Sequence, residues 1–230
     1  MIKTSINTWY VPQTIDQRIV DAFTHCINGL GLDVKVDHDY DSTQSMHWNH
    51  GAFMDRILRG SGNDVEVFVD VDVLLFEREL VEDLVFIANE NQSIGGLAHC
   101  VGHTPDPYDI FVGSPLVAIP VPMFQECKDH SCIATETADT CKTLNEALRA
   151  AQRPIQAIYP IGYDFPPIGY FGNYSLIGRG IHYPGAYHLL AGGDEGGGSL
   201  RADKEKAIQR FVEMASRTDY QLPATYGIGF

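Results

Sequence analysis

Two carboxylates, Asp70 and Asp72, sit in an almost wholly apolar stretch, VEVFVDVDVLLF at residues 65–76. A Val-rich run of this length reads as a strand covered on both faces, as in a parallel sheet. Burying one carboxylate is costly, and burying two neighbours without a partner costs more. Alternate residues of a strand share a side, so the two acids converge and call for a cation. The expected arrangement ends the strand near Asp70, at the carboxyl edge of the sheet, where open α/β sheets bind ligands. Hard oxygen donors suit Mg²⁺ or Mn²⁺, which in turn grip phosphates. The competing reading is a pair of strand-end aspartates facing water.

The elements that would position these acids follow from local pattern. Residues 2–9 suit a first strand, and Pro12 and Thr14 mark a turn and a helix start. Ile15, Ile19, Phe23 and Ile27 recur at steps of four, an amphipathic stripe that Gly29 and Gly31 end. Residues 32–36 read as a second strand, running into Asp37, His38, Asp39, Tyr40 and Asp41, which form either a solvated loop or a ligand edge. Residues 47–59 read as a helix, closed by Gly60, Ser61 and Gly62. Leu80, Val81, Leu84, Val85 and Ile87 give another after the central strand. This alternation predicts an α/β fold, Rossmann-like, with a mostly parallel sheet flanked by helices.

The second half is loop-rich and mixed. Residues 94–100, 110–111 and 116–121 suit short strands cut by Gly and Pro, and residues 155–159 suit another. Thr143 and Glu146 fit a capping box before a helix carrying Leu144, Leu148 and Ala151. An aromatic loop spans residues 159–174, a glycine-rich segment spans 192–198, and Ile208, Phe211, Val212 and Ala215 mark a final helix.

The chain has 230 residues and a net charge of −14, enough length for one large core and a field that repels polyanions. An extended nucleic-acid surface or an anionic membrane surface is therefore not expected, although one modified base presented locally is compatible with it. No stretch is long enough to span a bilayer, and the first ten residues lack a signal-peptide core. Five cysteines without framework spacing point to a reducing, cytoplasmic setting.

The order of elements, together with FVDVDVLL at residues 68–75 and HGAFMDRIL at residues 50–58, resembles the nucleotide-sugar domain of GT-A type glycosyltransferases with their Asp-x-Asp motif. The resemblance implies a nucleotide-sugar-binding half at residues 1–92. It implies an acceptor-binding half with the C-terminal helix at residues 93–230, the two forming one continuous domain. It further implies a nucleotide-sugar donor, and an acceptor that is a glycan, a small molecule or a modified base. Asp72 would be the first ligand of Mn²⁺ or Mg²⁺ and Asp70 its partner, with Asp70 alternatively contacting the ribose. HYPGAYHLL at residues 182–190 offers His182 and His188, with His188 the preferred third ligand. Thr8, Trp9 and Tyr10 would border the nucleoside, and Asp37 or Asp39 would bond its base or ribose. Asp139 would be the catalytic base, or else a helix cap, at a place where the family commonly has Gly two residues on and this chain has Cys141. Asp164 is the second candidate base.

Three rivals remain from the sequence. A nucleotidyltransferase also pairs acids on a strand, after Gly-Ser, but requires a helix between residues 61 and 69. A zinc-organised module could use Cys127, His130, Cys132 and Cys141, or His99, Cys100 and His103, although neither set has paired Cys-x-x-Cys spacing. A non-catalytic carbohydrate-binding protein would keep the aromatic loop without convergent acids.

Overall fold

The structure, a computed structural model, describes residues 2–99, 110–165, 179–189 and 201–216. In chain order the elements are β1 (Thr4–Trp9), α1 (Gln17–Gly29), β2 (Val34–Asp37), α2 (Met46–Gly60), β3 (Val65–Val69), β4 (Val73–Leu75), α3 (Arg78–Asn91) and β5 (Gly95–His99). They continue with β6 (Phe111–Pro120), α4 (Val121–Glu126), α5 (Lys142–Ala150), β7 (Gln156–Ile158), β8 (Gly162–Phe165), β9 (Arg179–Tyr183), β10 (Ala186–His188) and α6 (Arg201–Ala215).

A six-stranded sheet has the order β2-β1-β3-β6-β5-β7. β2, β1 and β3 run parallel, β6 is antiparallel to both β3 and β5, and β7 is parallel to β5. Only β6 is reversed, so the fold is α/β with a mostly parallel sheet flanked by helices. All five residues of β3 are buried, as its apolar run demands. One face packs on α1 and α3 through Phe23, Ile27, Val81 and Leu84. The other packs on α2, α4 and α5 through Phe53, Met54, Phe124 and Leu144. A four-stranded sheet, β4-β10-β9-β8, continues the first layer, and α6 closes it by burying Ile208 and Phe211 near Ile19 and Tyr187.

Several local expectations are corrected. α1 is capped by Asp16, whose side chain accepts from Arg18 N, while the Thr14 hydroxyl donates to Val11 O in the preceding turn. Residues 110–111 and 116–121 do not form two short strands. They belong largely to the ten-residue β6, which is held between two partners and so stays extended through Pro115. Gly96 makes this pairing possible, since a Cβ there would stand 2.1 Å from Leu116 O. The capping box at Thr143 is absent: α5 starts at Lys142 after Cys141, and the Thr143 hydroxyl donates to Ser131 O at 2.9 Å.

Candidate metal centre

The run at residues 65–76 is not one strand. β3 ends at Val69, Asp70 N donates to Pro115 O on β6 at 3.0 Å, and Val73 N donates back to Asp70 O at 3.0 Å. Asp70 to Val73 is therefore a turn through which the chain leaves the large sheet for the small one. The acids converge by this turn and not by strand alternation. Leu189 N donates to Asp72 O at 2.9 Å, tying the turn to the end of β10. In the antiparallel β10–β4 pair His188 lies opposite Val73, so its ring arrives beside Asp72, with Nε2 3.6 Å from Asp72 Oδ1. One ligand atom from each of Asp70, Asp72 and His188 lies within 4.8 Å of the other two.

The rest of the cavity, about 230 Å³, comes from α2, β5, β6 and the segment before α5. His50 on α2 places Nε2 3.2 Å from Asp70 Oδ1, and its ring stacks on Trp9 at 5.5 Å. The Ser114 hydroxyl stands 3.4 Å from the other Asp70 oxygen. In the same lining, Asp139 accepts from Thr140 N at 2.8 Å and faces His47 Nδ1 at 3.5 Å and His99 Nε2 at 3.8 Å. Asp139 does not cap α5 with its side chain: Cys141, at φ 70°, is the N-cap residue and α5 has no side-chain cap bond. The left-handed backbone at Cys141 is one that glycine adopts most readily. Asp55 Oδ1 and Oδ2 accept from Cys132 N and the Ser131 hydroxyl, both at 2.7 Å, which locks the segment before Asp139 to α2.

Burial pushes the Asp70 carboxyl above its ordinary range; the charge of Asp72 adds to this, while His50 and His188 oppose it. Burial leaves the charged form of this carboxyl unfavourable, which a bound cation would relieve. The His188 side chain is only 4% exposed, and its Nδ1 is buried without a hydrogen-bond partner. That ring is not committed elsewhere. Two carboxylates and an imidazole are a donor set that suits a divalent metal ion.

The other sequence candidates scatter. Trp9 lines the cavity, whereas Thr8 is 1% exposed within β1 and is not part of its lining. Tyr10 packs edge-on against His38 at 4.5 Å. Asp37 and Asp39 are both paired with Arg56, and Asp39 O accepts from Trp9 Nε1 at 2.8 Å. Asp164 lies apart from the cavity lining, in β8, where His182 Nε2 (2.9 Å), the Tyr187 hydroxyl (2.9 Å) and Arg210 Nε (2.7 Å) surround its carboxylate. Burial raises the Asp164 carboxyl, but those three partners outweigh it and hold it well below the usual carboxylate range. This environment makes Asp164 a tie between β8, β9, β10 and α6, and a poor proton acceptor. His182 is 1% exposed within the same tie and faces Asp164, not Asp72.

His47, His50 and Ser114 were not among the sequence-derived site residues, and His99 entered only as a candidate ligand of a zinc-organised module. The spacing of His47 and His50 on one helix face was the available signal. Among the described residues the group able to share an ion is Asp70, Asp72 and His188. Cys127, His130, Cys132 and Cys141 do not converge in this way, and the Cys141 thiol instead meets Met54 Sδ at 3.8 Å. Cys100, His103, the aromatic loop from residue 166 to 174 and the glycine-rich residues 192–198 lie outside the described residues. Residues 65–69 are strand, not the helix a nucleotidyltransferase reading requires. A larger cavity, about 530 Å³, surrounds Glu66, but Asn7, Ser61 and Asn63 all donate to that carboxylate, so it serves to hold the loop before β3. Among the described residues no helix is long and apolar enough to cross a membrane.

Fold and site together define an α/β protein with a carboxylate–histidine cavity at the carboxyl end of β3. The sequence matches no family model and no curated protein. Solved structures similar to it include A197 from STIV, at 12% identity and TM-score 0.47, over 69% of this chain and 82% of that one. A glycosyltransferase involved in the glycosylation of the major capsid of PBCV-1 is similar at 9% identity and TM-score 0.43, over 90% of this chain and 99% of that one. The bifunctional IspDF from Campylobacter jejuni is similar at 10% identity and TM-score 0.41, over 68% of this chain and 49% of that one.

Proposed function

We propose that this protein is a metal-dependent glycosyltransferase of GT-A type, moving a sugar from a nucleoside-diphosphate donor to an acceptor hydroxyl. The observation that carries the reading is the meeting of Asp70, Asp72 and His188 in a cavity whose lining also includes Asp139. Asp70, Asp72 and His188 would hold Mn²⁺ or Mg²⁺, which when bound neutralises charge on the departing diphosphate. Asp139 accepts the proton of the acceptor hydroxyl as that oxygen bonds to the anomeric carbon. The electron pair of the broken carbon–oxygen bond leaves on the nucleoside diphosphate. Such a single displacement inverts the anomeric centre. His47 and His99, beside Asp139, orient its carboxylate. Trp9, 7% exposed and stacked on His50, borders the donor space at the end of β1.

The test is a thermal-shift screen of UDP-, GDP-, CDP- and TDP-sugars with and without Mn²⁺, followed by donor hydrolysis by wild type and Asp72→Ala. Stabilisation by one nucleotide class only with Mn²⁺, and hydrolysis lost in Asp72→Ala, is the expected outcome. No response to any nucleotide, or equal rates in both proteins, would refute the reading.

A further inference from the structure

A second depression, about 420 Å³, lies beside the metal cavity, between the start of α2 and residues 134–139. Its lining shares two residues with the cavity, His47 and Asp139. Asp139 therefore stands at the junction of the two spaces, with the Asp70–Asp72–His188 cluster on one side and this groove on the other. Of its lining residues, Asp139 alone was among the sequence-derived site residues.

We propose that this groove is the acceptor subsite and that it takes the end of an uncharged glycan. The proposal rests on the transferase reading above and names its acceptor class. Three features carry it. The half-buried Trp48 lines the groove and supplies a flat apolar surface of the kind that stacks on the C–H face of a sugar ring. Thr43, Gln44 and Thr135 add neutral hydrogen-bonding groups around it. The charged side chains in the described lining are the carboxylates Glu136 and Asp139, with His47 between groove and cavity and no Lys or Arg. A phosphorylated sugar, a nucleotide or a nucleic acid would meet like charge there, and the net charge of −14 repels it from further away. A neutral polyol meets no such penalty. A ring stacked on Trp48 directs its hydroxyl toward Asp139 and the cavity beyond.

The test reads glycoside binding directly and so is separable from the donor screen. Saturation-transfer NMR is recorded with the methyl α- and β-glycosides of glucose, galactose, mannose and N-acetylglucosamine, and with glucose 6-phosphate. Each is added to wild type, Trp48→Ala and Glu136→Lys, with and without UDP and Mn²⁺. At least one neutral glycoside is expected to bind wild type and to weaken about tenfold in Trp48→Ala, the scale of one lost stacking contact. Glucose 6-phosphate is expected to bind only after Glu136→Lys, an exposed change that leaves packing intact. Binding of no neutral glycoside under any condition, equal binding by Trp48→Ala, or preference of wild type for the phosphorylated sugar overturns the proposal. A nucleotide response without glycoside binding would sink the acceptor assignment alone; glycoside binding without any nucleotide response would sink the transferase reading and with it the acceptor role, leaving the groove a glycan-binding site.

Discussion

Asp70→Asn sets stability against metal binding, and the two are expected to move in opposite directions. The nearest oxygens of Asp70 and Asp72 lie within 4.8 Å of each other. Two unit charges at that distance repel by about 3.5 kcal/mol at the effective dielectric of a protein surface. Their side chains are 21% and 13% exposed, and His50 at 3.2 Å offsets part of the repulsion. A net cost of about 1 kcal/mol in the metal-free protein is a reasonable remainder. Asparagine keeps the shape and an acceptor for His50 but removes the charge. In EDTA, Asp70→Asn should therefore melt about 2–4 °C above wild type, by circular dichroism. The raised Asp70 carboxyl sets the sign with pH. The folded chain holds this proton more tightly than the unfolded one, so this group's contribution to stability falls as pH rises from about 4 through the folded value. The variant should lack that slope. With Mn²⁺ at a hundred times its dissociation constant, wild type should gain about 2.7 kcal/mol and the variant little, reversing their order. If Asp70→Asn is the less stable protein in EDTA, or gains as much from Mn²⁺ as wild type, the reasoning about paired charges is wrong.

Three further outcomes follow from the same geometry. His188→Gln should fold and weaken Mn²⁺ binding at least about tenfold by calorimetry, whereas unchanged affinity would remove His188 from the ligand set. Gly51→Ala should cost about 1–3 kcal/mol in urea unfolding, because the new methyl would stand 2.5 Å from Cys132 O and Ile133 Cα, backbone that cannot swing aside. Asp164, whose carboxyl is held low by His182, Arg210 and Tyr187, contributes stability that is complete above about pH 4 and is lost as pH falls below that. Arg210→Leu should flatten the acid limb of a urea-unfolding series between pH 6 and pH 2, and an unchanged limb would show that this cluster does not carry the dependence.

What the sequence determined by itself was what depends on near neighbours. Steps of four in α1, the apolar run of β3 and the glycines after α2 encode periodicity and breaks, and those survive in isolation. The nearness of Asp70 to Asp72 follows from chain connectivity alone, whichever backbone shape lies between them. Tertiary structure decided the rest. The turn at Asp70–Val73 exists because β3 pairs in one sheet and β4 in another, a choice made by partners distant in sequence. Only the β10–β4 pairing brings His188 to Asp72 while turning His182 toward Asp164. The sequence favoured His188 over His182 only by its neighbours, and the strands give the two histidines their different surroundings. Likewise the sequence ranked Asp139 before Asp164 only by its place ahead of a helix. One faces a cavity between two imidazoles, and the other is enclosed by three hydrogen-bond donors. A carboxylate's chemistry is set by the groups around it, and those groups are assembled by folding.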